Sequence, residues 1–186
     1  RTVYKAGMNN TNVYGRVICQ IPAPTLVRAG YILPPKVEVY RSRILKKDEL
    51  VADRDCEQMI GAIDNVRKDK VLICAKSTKQ IVSLISRTNF VDELAWRGYS
   101  WMMITSKTGA IIDGEKVSRE EFFDVLNAWG KDVTKRFVVL HHSILSEGIN
   151  VNGLEAVLFM RSMDYIGISQ TIGRVIRKGN ADKVFG

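Results

Sequence analysis

Residues 71–105 read VLICAKSTKQIVSLISRTNFVDELAWRGYSWMMIT, and this stretch decides the fold. Val71–Ala75 is a short continuous apolar run, the signature of a strand buried on both faces. Ser77 or Thr78 then caps a helix that places Ile81, Leu84, Ile85, Val91, Leu94 and Ala95 on one side and stops at Gly98. A second apolar run, Trp101–Thr105, follows as a second strand. The unit is strand, amphipathic helix, strand.

The pattern continues in both directions. Upstream, Asp48 is positioned to cap a helix whose apolar residues Cys56, Met59, Ile60 and Ile63 fall at helical spacing. Downstream, Ala110–Val117 contains Asp113-Gly114, a tight-turn signal. Ser118 with Glu121 forms a capping box, and Phe122, Val125, Leu126 and Trp129 make the buried stripe of the helix that follows. Phe137–His142 and Ala156–Met160 are the third and fourth strands. Asp164 caps a last helix running to about Lys178, and Val184-Phe185 reads as a further strand. Apolar strands alternating with amphipathic helices predict an α/β domain, a parallel sheet with helices on both faces, over residues 48–186. Residues 1–47 hold all four prolines and read as an irregular segment with short extended pieces at Val13–Ile21 and Val37–Tyr40.

Charge and cysteine usage narrow the function classes. The formal charge of +8 comes from 28 Lys and Arg against 20 Asp and Glu. Residues 1–47 carry nine basic side chains and one acid, Glu38, so the whole excess sits there. Such a segment attracts a polyanion, and it equally serves as a solubilising arm. Cys19, Cys56 and Cys74 are widely spaced with no C-x-x-C, which argues against a disulfide framework and a zinc cluster and fits a reducing, intracellular setting. His141 and His142 stand side by side without the partners a metal centre needs, so no metal site is expected on this chain. No apolar run reaches about 18 residues, so no membrane span is expected. The chain opens on Arg1 with no charged-then-apolar leader, which reads as a piece of a longer protein rather than a secreted one.

Two constellations carry chemistry. In parallel sheets, ligands sit at the carboxyl ends of strands. There the sequence places Lys76-Ser77-Thr78, Thr105-Ser106-Lys107, His142-Ser143 and Arg161, mostly hydroxyl-bearing or basic. On the last helix, Gln170, Gly173, Arg174 and Arg177 share one face, and Tyr165, Ile168, Ile172, Val175 and Ile176 share the other. A glycine inside a helix costs up to about 1 kcal/mol against alanine. Beside two arginines it lets a ligand approach the backbone while two guanidinium forks, matched to phosphate, point the same way. A solvated basic face is the plain alternative.

The order strand, Ser146-Glu147-Gly148-Ile149-Asn150, strand, then Gln170-Thr-Ile-Gly-Arg-Val-Ile-Arg177 resembles the second RecA-like domain of superfamily 2 helicases and translocases. The first segment is similar to motif V of that family and the second to motif VI, at all four defining positions. Val71–Thr78 is similar to motif IV. More loosely, Tyr14-Gly15 through Gly30-Tyr31-Ile-Leu-Pro-Pro35 resembles the connection between the two motor domains of restriction-type and phage-type members, which puts 1–47 at the end of the first domain. The resemblance implies ATP and Mg²⁺ as cofactors, held mainly by a first RecA-like domain of the same parent chain, and a DNA or RNA backbone as partner. It implies Arg177 as an arginine finger, with Arg174 on the same phosphate and Gln170 positioning it and the attacking water. Gly148 and Asn150 would meet the ribose, with Glu147 and Gly173 on the nucleotide side. Asn150 stands where many members carry Asp. Nucleic acid would run over Lys76, Ser77, Thr78, Thr105, Ser106, His142 and Ser143, with His142 where many members carry Thr. The chain has no G-x-x-x-x-G-K-[ST] and no Asp-Glu pair at a strand end with the flanking signature that would hold Mg²⁺, so this piece alone should not hydrolyse ATP. The competing readings are a nucleic-acid-binding module that keeps the fold without using ATP, and a small-molecule enzyme of doubly wound type. The latter would want a Gly-rich loop where Lys76-Ser77-Thr78-Lys79 stands.

Overall fold

A computed structural model describes residues 16, 18–142, 153–160 and 171–173. The chain divides into two compact units, residues 1–32 and 33–186, whereas the composition of the sequence changes at 47/48. In the first unit, α1 (Ala23–Arg28) is one short helix with Pro22 at its N-cap and Pro24 in its first turn, where a missing N–H costs nothing. Gly30, at φ 74°, ends it.

The second unit is an α/β domain. Its elements in chain order are α2 (Val51–Val66), β1 (Lys70–Cys74), α3 (Thr78–Arg87), α4 (Phe90–Trp96), β2 (Ser100–Thr105), β3 (Gly109–Ile112), β4 (Glu115–Val117), α5 (Arg119–Lys131), β5 (Phe137–His141) and β6 (Ala156–Phe159). They build one six-stranded sheet in the order β4-β3-β2-β5-β1-β6. The four strands read from apolar runs, β2, β5, β1 and β6, are parallel. The sheet is not parallel throughout: β3 and β4 form an antiparallel hairpin on the β2 edge, closed by Asp113 (φ 45°) and Gly114 (φ 93°). Both central residues lie in the left-handed region, as a two-residue turn matching strand twist requires.

Alternation inside the apolar runs assigns side chains to two cores. Val71, Ile73, Trp101, Met103, Val138 and Leu140 pack on one face with Cys56, Ile60 and Ile63 of α2, Ile81 and Leu84 of α3, and Phe90 and Leu94 of α4. Leu72, Cys74, Met102, Ile104, Phe137 and Val139 pack on the other with Phe122 and Leu126 of α5. Helices therefore cover both faces.

Two local expectations are corrected. Asp48 does not cap α2; it takes a positive φ of 63°, and Leu50 is the N-cap, its N–H donating to the Asp53 carboxylate at 3.2 Å. The single helix expected to end at Gly98 is two helices. Thr88 is extended (φ −131°), its hydroxyl donating to the Leu84 carbonyl and accepting from the Phe90 N–H. A hydroxyl that offers the backbone both partners breaks the helix without leaving orphans. Gly98 (φ 75°) still ends α4, with Tyr99 N–H donating to the Leu94 carbonyl and Gly98 N–H to that of Ala95. Val37–Tyr40 and the described part of 13–21 are irregular, as expected of this segment.

The edge where the parallel strands begin is locked by one cluster. Lys70 is 1% exposed, and its ammonium donates to the Gly130 carbonyl near the C-terminus of α5 at 2.8 Å. Burial pushes that ammonium below its ordinary pKa. Glu155 accepts from the Asp69 and Lys70 N–H groups. Gly153, at φ 75°, lies so close that an added Cβ would be 2.1 Å from the Gly130 oxygen. Gly153→Ala should therefore lower the unfolding free energy by more than about 2 kcal/mol, because left-handed strain and a backbone collision add. Gly61→Ala, at a helical position where a Cβ meets nothing within 4 Å, should raise it by about 0.5–1 kcal/mol. Urea titrations of the two variants compare these signs.

Ahead of α2, Arg43 ties the incoming chain down through Glu49 (2.7 Å) and Glu57. The Arg43 guanidinium, with the Lys46 N–H, holds the Glu49 carboxyl down to about 2 from its ordinary 4.5. A carboxyl depressed in the folded state stabilises fully above 4.5 and loses that contribution as pH falls toward 2. Stability measured from pH 5 to 2 should fall less steeply in Glu49→Gln than in the parent chain.

Candidate functional site

The register of the parallel strands aligns the residues that the sequence singles out. Cys74 pairs with His141, and His141 with Ile104, so β1, β5 and β2 end abreast. Their continuations, Ala75-Lys76-Ser77, His142 and Thr105-Ser106, leave from one edge of the sheet. The connection after β1 passes over the face covered by α3 and α4, and that after β2 includes α5 on the other face. The edge between two such connections is where open α/β sheets bind ligands.

Each side chain has its own local cause. Lys76 is exposed. The Ser77 hydroxyl caps α3 by accepting the Gln80 N–H at 3.2 Å, and Thr78 opens the helix. Ser106 is exposed and His142 half-buried. Thr105 is different: it is 3% exposed, its hydroxyl lying 2.6 Å from that of Thr108 and accepting the Thr108 N–H. It shapes the turn that presents Ser106 and Lys107.

Two features of this edge were not read from the sequence. Gln80 holds the loop after β1: its carbonyl accepts the Lys76 N–H at 2.7 Å, and its amide donates to buried Asp55 at 2.7 Å. The other Asp55 oxygen accepts from Arg54. The signal was present, since Ser77-x-x-Gln80 has the spacing of a capping box; Asp55, on another helix, carried none. Cys74 is more than a small apolar filler: its Sγ lies 3.1 Å from Nε2 of buried His141. No group of three His, Cys, Asp or Glu side chains suited to a metal ion occurs among the described residues, and no described helix is long and apolar enough to cross a membrane.

Of the last helix, residues 171–173 are described and are helical. Thr171 is buried, and Ile172 lines the same cavity of about 200 Å³ as Val66 and Val157–Phe159. Among the described residues, a Cβ on Gly173 would meet nothing within 4 Å. Ser143, Glu147, Gly148, Asn150, Gln170, Arg174 and Arg177 lie outside the described residues, as do Asp164 and Val184-Phe185.

No protein-family model matches this chain. No curated protein matches it either. Among solved structures, 28 chains match. One is an ATP-dependent Type ISP restriction-modification enzyme, LlaBIII, bound to DNA, similar at 19% identity with a TM-score of 0.65 over 96% of this chain. This chain corresponds to 13% of that enzyme's length. The likeness is one of fold.

Gln80 is the test of how the loop is held. Gln80→Ala should cost about 1–3 kcal/mol, since it strips a partner from buried Asp55, and should speed hydrogen exchange at the Lys76 amide. Unchanged exchange there would mean that the loop is fixed by something else.

Proposed function

We propose that this chain is the C-terminal motor domain of an ATP-dependent nucleic-acid helicase or translocase, supplying an arginine finger and part of the grip on the nucleic-acid backbone. The observation that carries the reading is the spacing Gln170-x-x-Gly173-Arg174-x-x-Arg177. It is supported by the gathering of Lys76, Ser77, Thr78, Ser106 and His142 at one strand-end edge, and by the similarity in fold to a DNA-bound, ATP-dependent enzyme.

A glycine at 173, with no side chain of its own, would let a nucleotide come against the helix backbone. ATP with its Mg²⁺ supplies the phosphoanhydride whose hydrolysis drives the cycle, and both are assigned mainly to a first RecA-like domain of the parent chain. Arg174 and Arg177 offer charged, bidentate donors to the γ-phosphate. Gln170 positions it and the attacking water, and Glu147, Gly148 and Asn150 take the ribose side. At the strand ends, hydroxyls, backbone N–H groups and the Lys76 ammonium address backbone phosphates, which gives grip without base reading. Ser143 and Thr105 complete that row, Thr105 through the turn it holds. Two grips that open and close with the cleft between domains move the protein along a strand.

The test is nucleic-acid-stimulated ATP hydrolysis by the parent protein. Arg177→Ala should reduce it by about 10³-fold or more without lowering the unfolding midpoint. Gly173→Ala should leave the fold intact or firmer by up to about 1 kcal/mol while depressing turnover. Normal turnover in Arg177→Ala would remove the finger and leave the nucleic-acid-binding module that does not use ATP.

A further inference from the structure

Beside the Lys76 loop lies a cavity of about 320 Å³ that the strand-end residues do not account for. Its walls include Leu50, Val51 and Ala52 at the start of α2, and Lys79, Ser83, Leu84 and Arg87 along α3. Two features of this cavity call for an occupant. First, Lys79, Ser83 and Arg87 are four residues apart, so they share one side of α3 and continue the line begun by Lys76. Lys76, Lys79 and Arg87 are exposed, and none is ion-paired among the described residues. The α3 sequence, TKQIVSLISR, contains no acid. The one carboxylate in the cavity wall, Asp55, has its oxygens taken by Arg54 and Gln80. Second, the same cavity has exposed apolar lining: Leu50 and Val51 are 56% and 52% exposed. A row of cations unpaired among the described residues, sharing a cavity with exposed apolar surface, is complementary to a chain with phosphates along one side and sugar and base surfaces on the other.

We infer that the nucleic-acid strand does not end at the strand-end loops but continues along α3, its phosphates on Lys79, Ser83 and Arg87 and its sugar–base side against Leu50, Val51 and Ala52. This rests on the proposed nucleic-acid grip and extends it. The eight helical steps from Lys79 to Arg87 span about 12 Å, with Lys79, Ser83 and Arg87 about 6 Å apart along the axis. The exposed row also fixes which side of the strand faces the protein: the backbone follows the helix, so grip along α3 is independent of base sequence.

The experiment measures binding of this chain to a fluorescein-labelled 20-nucleotide oligothymidylate and to the matching oligouridylate as a function of salt. On a single strand, every phosphate that a variant no longer neutralises flattens the slope of log K against log salt by about 0.7. Lys79→Ala with Arg87→Ala should flatten it by about 1.4, twice the effect of Lys76→Ala, and Lys79→Arg should keep the parent slope. Val51→Asp, which changes the apolar wall and none of the cations, should weaken binding several-fold. These side chains are exposed, and equal unfolding midpoints confirm that the variants fold. If Lys76→Ala flattens the slope while the double variant does not, and Val51→Asp leaves the affinity unchanged, the strand leaves the protein at the loops and the α3 track is wrong, with the grip itself intact. If the parent chain binds neither oligonucleotide at low salt, both the track and the nucleic-acid reading fall.

Discussion

Complete burial of β1 and β5 is the constraint from which the rest of the domain follows. All five residues of each strand are buried, and alternate side chains belong to different cores. A strand with no solvent face needs a neighbour on either side and a helix layer above and below. Parallel pairing meets that demand and brings the strand ends into line. The alignment of Ala75, His142 and Thr105 at one edge is thus a by-product of how the interior is filled, and it creates the kind of place where such a sheet exposes polar loops together.

What the sequence made legible follows from the same cause. Apolar runs located β1, β2, β5 and β6 within a residue or two, and Asp113-Gly114 gave the hairpin because few residues adopt two successive left-handed conformations. The order of the strands was not legible, since periodicity says which faces are buried but not which strand lies alongside. The break at Thr88 was hidden because Val91, Leu94 and Ala95 keep helical spacing with Ile81 and Leu84 across it; a side-chain hydroxyl competed with the backbone and won. Asp48 and Asp53 are both reasonable partners for the start of α2, and only the path of the incoming chain, held by Arg43, selects the latter. The residues of the strand-end edge were readable as a set, because a parallel sheet leaves no choice about where they gather. How Gln80 and Asp55 fix one of those loops was not, since Asp55 comes from a helix on the other side of β1 in sequence.

The two edges of the sheet are built on opposite principles. Where the strands begin, a buried ammonium, a carbonyl and a glycine meet with no spare volume. Where they end, Lys76 and Ser106 stay exposed, and Asp55 in the adjoining cavity wall bonds Arg54 and Gln80.

The pairing of β1 has a consequence for how the polypeptide comes into being. Neither of its neighbours is close in sequence: one is residues 137–141, the other 156–159. A nascent chain emerging N-terminus first therefore releases Val71–Cys74, an unbroken greasy segment with open edges, long before either partner has been synthesised. Until His141 clears the exit tunnel, that segment has α2 and α3 for cover but nothing to share its backbone hydrogen bonds. The moment of greatest risk for misassembly in this protein falls during translation.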